Sequence, residues 1–386
     1  MPIGAFIRSL IAIIFAGLLV LPLANAVGED RLQTPSFGNL GDGRLADEFP
    51  GLASLLVKGH VIPGLHRGFV PQGVDLLDGG EMVLSGYFCE RFTPRFQNLL
   101  RRCVQKRSAI YLMDAEGGSA KRLALLEMPD GRPMRLHAGG IAELHGKLWI
   151  PDNFVVFRFS LEQLRQADDP VISMAPDNRA PIGVDASGDF ITSHQDTLWI
   201  GNFQRSRRGD PLPGHYLAPE WGTRGWTAAY HIDPETLRPV SQETYSVAFG
   251  GTHYEVYRPD AALHHRDLVQ GMAFLDDRRV VISTSYGPRR SALAQHKLPV
   301  SPLAGHLVGP AVPLPDGSEM VVQALNLPTR EAVVSMPPGS EGVAWDQQQL
   351  AVAFEGGALP YRNRWRLLED RVLFLAPAVA PDDGPE

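Results

Sequence analysis

One phrase recurs along the chain. Between His137 and Asn153 it reads Gly139-Gly140, the run Ile141-Ala142-Glu143-Leu144, a turn at His145-Gly146-Lys147, a second run Leu148-Trp149-Ile150, then Asp152-Asn153. Apolar runs this short, bounded by Gly, Pro and Asn, predict antiparallel strand pairs rather than helices. The phrase returns at Gln72-Gly73-Val74, at Ser187-Gly188-Asp189-Phe190, at Gln270-Gly271-Met272 and at Glu341-Gly342-Val343. Further strands follow each pair, such as Ala109 to Asp114, Trp226 to Ile232 and Arg371 to Leu375. A four-stranded unit repeated at this spacing predicts a β-propeller, because one blade cannot bury both of its faces alone.

The ends predict how the ring closes. The last repeat has three strands and then the chain runs out of apolar sequence. A spare strand, Leu55 to Ile62, precedes the first repeat. The N-terminal strand is therefore expected to complete the last blade, which removes an open edge. The fold expected is all-β, a single propeller. Five blades is the preferred count. Six is the alternative, with the extra blade around Ser246 to Tyr257.

The N-terminus has a different texture. Arg8 is followed by an apolar run from Leu10 to Leu23 and by Ala24-Asn25-Ala26, the form of a secretory signal peptide. Residues 1–26 are read as that signal, 27–50 as a mature leader, 51–377 as the propeller and 378–386 as a disordered tail. An exported protein, periplasmic or secreted, with no membrane span after cleavage, is the expectation. Cys89 and Cys103, the two cysteines, are expected to form a disulfide there. A net charge of -7 with no basic block argues against nucleic acid as partner.

Candidate chemistry follows from the topology. Residues just before each repeat glycine should meet near the axis on one face: Gln72, Gly139, Ser187, Gln270 and Glu341. Returning strand ends bring Tyr87, Asp152, Asn153, Asn202, Tyr286, Arg289, Arg290, Glu355, Tyr361 and Arg362 to the same face. His137 and Asp185 enter from loops. Three chemistries are open. Hard oxygens on Glu341, Asp152 and Asn202 suit Ca²⁺. A pair among Asp75, Asp152, Glu341 and Glu355 could serve acid–base hydrolysis. Arginines at 205, 207, 208, 289, 290 and 362 could grip an anion. Gln72, His137, Asn153, Gln270, Tyr286, Arg289, Arg290, Glu355 and Arg362 are the expected ligand contacts.

The phrases Ser340-Glu341-Gly342-Val343-Ala344-Trp345 and Gln270-Gly271-Met272-Ala273-Phe274 resemble the blade starts of the gluconolactonase and strictosidine-synthase-like propellers. That resemblance implies six blades and a divalent cation serving lactone hydrolysis. It matches Glu341 to the cation's glutamate, puts Gln270 where asparagine is expected, and gives Asn202 as a loose third match. The chain is also similar to exported bacterial propellers sharing phrases such as Phe354-Glu355-Gly356-Gly357-Ala358. The function expected is a cation-dependent hydrolase of a lactone or ester. The alternative is a non-catalytic propeller that binds a glycan, peptide or protein.

Overall fold

The computed structural model describes residues 30–36, 41–93, 102–177, 180–205, 212–304, 308–362 and 365–377. The expected signal segment and the tail from 378 lie outside the described residues. Five sheets stand around one axis. Their inner strands are Phe69–Leu77, Ala142–Leu144, Phe190–His194, Val269–Phe274 and Ser340–Trp345, which define blades 1 to 5. Each opens an antiparallel series, to which blades 1 and 3 add a fifth, parallel outer strand, Val171–Met174 and Gln323–Leu325, and neighbouring blades pack face to face. This explains why strands such as Thr197–Gly201 and Leu350–Phe354 are buried at every position. Both of their faces meet another blade, so their sequences run apolar instead of alternating.

Closure is as the chain ends predict. Leu56–Val61 pairs antiparallel with Arg371–Leu375, joining Gly59 to Leu373 and His60 to Val372. Thus the first strand completes blade 5. The stretch considered for a sixth blade is a two-stranded hairpin, Thr244–Phe249 with Thr252–Tyr257, inserted within blade 3. It lacks the partners of a blade, and the count is five.

The hub is made of glycine. A Cβ on Gly73 would lie 2.6 Å from the Cα of Gly140, and one on Gly342 would lie 2.7 Å from the Cα of Gly73. Gly271 meets Gly342 in the same way, at 2.9 Å. Inner strands can approach this closely only without side chains at that level. Blade 3 solves the problem differently. A Cβ on Gly140 faces the backbone of Phe190 and Ile191, so Phe190 occupies the glycine position. Phe190 pairs with Gly201 on the next strand, whose absent side chain leaves room for the Phe190 ring.

Two features flank the ring. Helix Gly41–Glu48, within the expected leader, and the turn after it dock Leu45, Phe49 and Leu52 between blades 4 and 5. Arg290 holds this segment through an ion pair to Glu48 at 2.9 Å and lies over the Phe49 ring. The strands Glu81–Thr93 and Arg102–Asp114 extend well past the rest of blade 1. The Cys89–Cys103 disulfide ties this extension, with Cα atoms 5.5 Å apart. Closing so short a loop stabilises by about 3 kcal/mol. Among the described residues no helix is long and apolar enough to cross a membrane.

Candidate functional site

At the N-terminal ends of the inner strands the ring opens into a cavity of about 550 Å³. Its floor is built by irregular strands. Pairing slips at Gln72 between Pro71 and Gly73, at Gln270 between Val269 and Gly271, and at Glu341-Gly342 between Ser340 and Val343. Each slip is a β-bulge, which turns a side chain out of the sheet's alternation. Gln72, Gln270 and Glu341 all line the cavity. The bulge and the hub glycine belong together: the backbone reaches its closest packing one step beyond the residue it re-aims.

The blade 3 position needs correction. Ser187 was expected in the ring, but Gly188 is a loop residue and Phe190 holds the hub position. The ring residue is therefore Asp189, which accepts hydrogen bonds from the Phe203 amide at 2.8 Å and from Ser187 Oγ. Both Ser187 and Asp189 line the cavity.

Two carboxyls dominate the chemistry. Glu341 is almost fully buried and accepts hydrogen bonds from Gln270 Nε2 at 3.2 Å and from Ser285. Burial and the neighbouring Glu355 carboxylate hold its pKa well above the usual range. Glu355 accepts from Gln72 Nε2 at 3.4 Å and from Tyr361. Burial raises Glu355 to about 7, against the pull of those two donors and of Lys106. The outcome is a pair of carboxyls both held above the usual glutamate range, so that the two share protons near neutrality.

The wall beside the pair is aromatic and cationic. Tyr361 stacks on Trp365 with ring centres 4.9 Å apart, and both line the cavity. Lys106 Nζ sits 3.8 Å above the Tyr87 ring. Burial lowers the Lys106 pKa, while Asp152 and Glu355 pull it back up. His137 is exposed at the cavity, and the protein around it together with the Lys106 charge holds its pKa below the usual histidine range. Across the cavity, Arg205 donates to Tyr286 Oη and lies over its ring.

Most expected contacts converge here. Gln72, His137, Asp152, Asn153, Gln270, Tyr286, Glu341 and Glu355 all line this one cavity. Others do not. Asn202 is fully buried outside it, with Oδ1 accepting from the Trp226 amide at 2.7 Å. Arg290 is committed to Glu48, and neither Arg289 nor Arg362 is among the lining residues. Asp185 is a buried structural pin, accepting from Tyr216 and Tyr245 and pairing with His215 at 2.8 Å. Arg207 and Arg208 lie outside the described residues. Sequence reading passed over Asp189, Phe203, Lys106 and Trp365. The pairing of Phe190 with Gly201 is the signal that would have found Asp189.

The donor set does not form the calcium cage that the resemblance implies. Glu341 points its oxygens at an amide and a hydroxyl, and Asn202 Oδ1 is taken by the Trp226 amide. Asp152 accepts from the His137 amide at 2.7 Å and from Asn153 Nδ2 at 2.8 Å. Among the described residues, no three His, Cys, Asp or Glu side chains cluster to hold a metal ion.

No family model matches the chain, and no curated protein does. Solved structures match in fold. A PQQ-bound aldose sugar dehydrogenase from Streptomyces coelicolor is 17% identical over 83% of this chain and 97% of its own, with a TM-score of 0.40. A GH43_1 enzyme from Xanthomonas citri is 12% identical over 85% of this chain and 92% of its own, with a TM-score of 0.39. BamB from Moraxella catarrhalis is 10% identical over 83% and 99%, with a TM-score of 0.29. These are likenesses of fold alone.

Proposed function

We propose that this chain is an exported acid–base hydrolase that cleaves a C–O bond in a small, neutral, hydroxyl-rich molecule, such as a sugar lactone or ester. The Glu341–Glu355 pair is the observation that carries the reading. General acid–base catalysis works best with groups that titrate near the working pH. Glu355, at about 7, is the base, and Glu341 is the acid that starts with its proton. Glu355 takes a proton from water as the water oxygen bonds to the electrophilic carbon. As the C–O bond breaks, the leaving oxygen takes the proton of Glu341. Return of the proton from Glu355 to Glu341 resets the pair.

The rest of the cavity suits such a substrate. Gln72 and Gln270 present amides, which both donate and accept. Tyr361 and Trp365 offer flat apolar surface. Cations and anions come in opposed sets, Lys106 facing Asp152 and Glu355, so a neutral ligand disturbs the least. The disulfide and the form of the N-terminus support export.

The test is hydrolysis of a panel of lactones, sugar esters and aryl glycosides by purified protein, with EDTA and with added Ca²⁺. Turnover that survives EDTA and is lost in Glu355→Gln supports the proton pair. Turnover that needs Ca²⁺ restores the cation-assisted version. Binding of a panel member with no turnover by any of them assigns the face to recognition without chemistry.

A further inference from the structure

The C-terminal ends of the same inner strands carry a second cavity on the opposite face, of about 610 Å³. Blade 3 contributes His194 and Gln195, blade 4 Phe274, and blade 5 Trp345 and Gln347. A narrow polar pit beside it reaches Asp75 at the lower end of the hub and shares Phe274 and Trp345 with it. Its volume falls in the range of small-molecule sites. We infer that this lower cavity binds a neutral saccharide, independently of the upper one.

The aromatic surfaces are held in place. Trp345 Nε1 donates to the Leu275 carbonyl at 3.2 Å, which fixes the indole. His194 stacks on Phe274, 4.7 Å between centres and 15° between planes. His194 also pairs with Asp277 at 3.0 Å. Flat, fixed rings of this kind match the C–H face of a pyranose at small entropic cost.

The amides sit where glycine would be easier. Gln195 and Gln347 occupy hairpin turns with φ of 52° and 74°. The equivalent turn of blade 1 places Gly79 and Gly80 in that left-handed region, and the turn of blade 2 places His145 and Gly146 there. A side chain there carries a backbone cost that glycine escapes. Gln347 is exposed, and its amide makes no hydrogen bond among the described residues. Gln195 gives its amide to Asp277, so Gln347 is the strained residue that presents a free amide to the cavity, and strain of this kind concentrates at ligand contacts.

Charge narrows the ligand class. Asp276 pairs with Arg279 at 2.6 Å, and Asp277 accepts from both His194 and Gln195. An ionic ligand has to break these pairs. A neutral polyol uses the Gln347 amide and leaves the pairs standing.

The experiment is calorimetric titration of the Glu355→Gln protein, which does not turn over a ligand held in the upper cavity, with glucose, xylose, N-acetylglucosamine, cellobiose and maltose. At least one is expected to bind. Gln347→Gly is expected to raise Tm by about 1–2 °C through relief of the turn. The same change should weaken that sugar about tenfold, the worth of one well-made hydrogen bond. Trp345→Phe should weaken it as well. Binding to none of the five overturns the inference. So does unchanged affinity in Gln347→Gly, or a lower Tm in that variant, which makes the glutamine a structural residue.

Discussion

Carboxyls with raised pKa lie at both ends of the hub, and the two ends treat them differently. At the lower end, Asp75 accepts from the backbone amides of Leu76 at 2.9 Å and Glu143 at 2.6 Å. At the upper end, Glu341 and Glu355 accept from the side chains of Gln270, Gln72, Ser285 and Tyr361, and repel each other. Burial raises Asp75 to about 7, the same value as Glu355. A raised pKa therefore does not by itself mark a catalyst. Asp75 is bonded to backbone that seams blade 1 to blade 2, so it cannot change partners without moving a strand. Glu355 is held by groups that can rotate, beside a second acid, under an open cavity. The partners separate a structural carboxyl from a chemical one.

The sharpest way to break the comparison is to neutralise each carboxyl in turn. Glu341→Gln and Glu355→Gln should each lower kcat/KM on the responsive substrate by about 10²- to 10⁴-fold, the worth of an acid–base group. Asp75→Asn should leave it within about twofold. Equal losses at all three positions would erase the distinction.

Stability against pH gives the next effect, and its sign is the reverse of the common carboxylate case. The folded-state pKa of Asp75 stands above its unfolded value, so the folded state binds more protons between the two. Its contribution is fully present below about pH 4 and is lost as pH rises through about 7. The loss is on the order of 2–4 kcal/mol for a shift of this size. Urea unfolding at pH 4 and pH 8 should show the native protein losing more stability than Asp75→Asn. Equal slopes would mean that Asp75 is not the group responsible.

Much of this was legible in the sequence, and the failures share a cause. Strand pairs, the closing strand and the polar ring at Gln72, Gln270 and Glu341 follow from local phrases, because bulge and glycine sit side by side. Blade 3 misled because Gly188 copies the phrase while Phe190 does the packing, allowed by Gly201 in the next strand. That exchange lies across a strand pair, where a linear phrase does not reach. Asn202 and Arg290 failed for a similar reason. Their type suits a ligand, but Trp226 and Glu48 had already claimed them. Lys106 was invisible because the extended hairpin, not a blade start, carries it to Glu355.

Tuning of the pair sharpens the contrast further. Gln72 donates to Glu355 and favours its charged form. Gln72→Leu should move the acidic limb of the pH–rate profile upward by about one unit, since a hydrogen bond to a charged group is worth about 1.5 kcal/mol. No backbone donor at Asp75 can be removed in this way.

Lys106 offers the smallest and most specific effect. Its ammonium lies over the Tyr87 ring, within reach of Glu355, Asp152 and His137, and touches none of them by a hydrogen bond in this structure. Its influence is therefore Coulombic, and side-chain packing is kept by methionine. Lys106→Met should shift the Glu355 limb upward by a few tenths of a unit, less than Gln72→Leu. The same change should raise the pKa of His137, because a neighbouring positive charge has been removed. Histidine titration by NMR reads this shift without any substrate. Salt separates the cause: in 1 M NaCl the native protein should approach the variant in both readings, since screening weakens the charge but leaves the ring contact. Two unmoved titrations in Lys106→Met would show that the hairpin cation does not act on the upper pair.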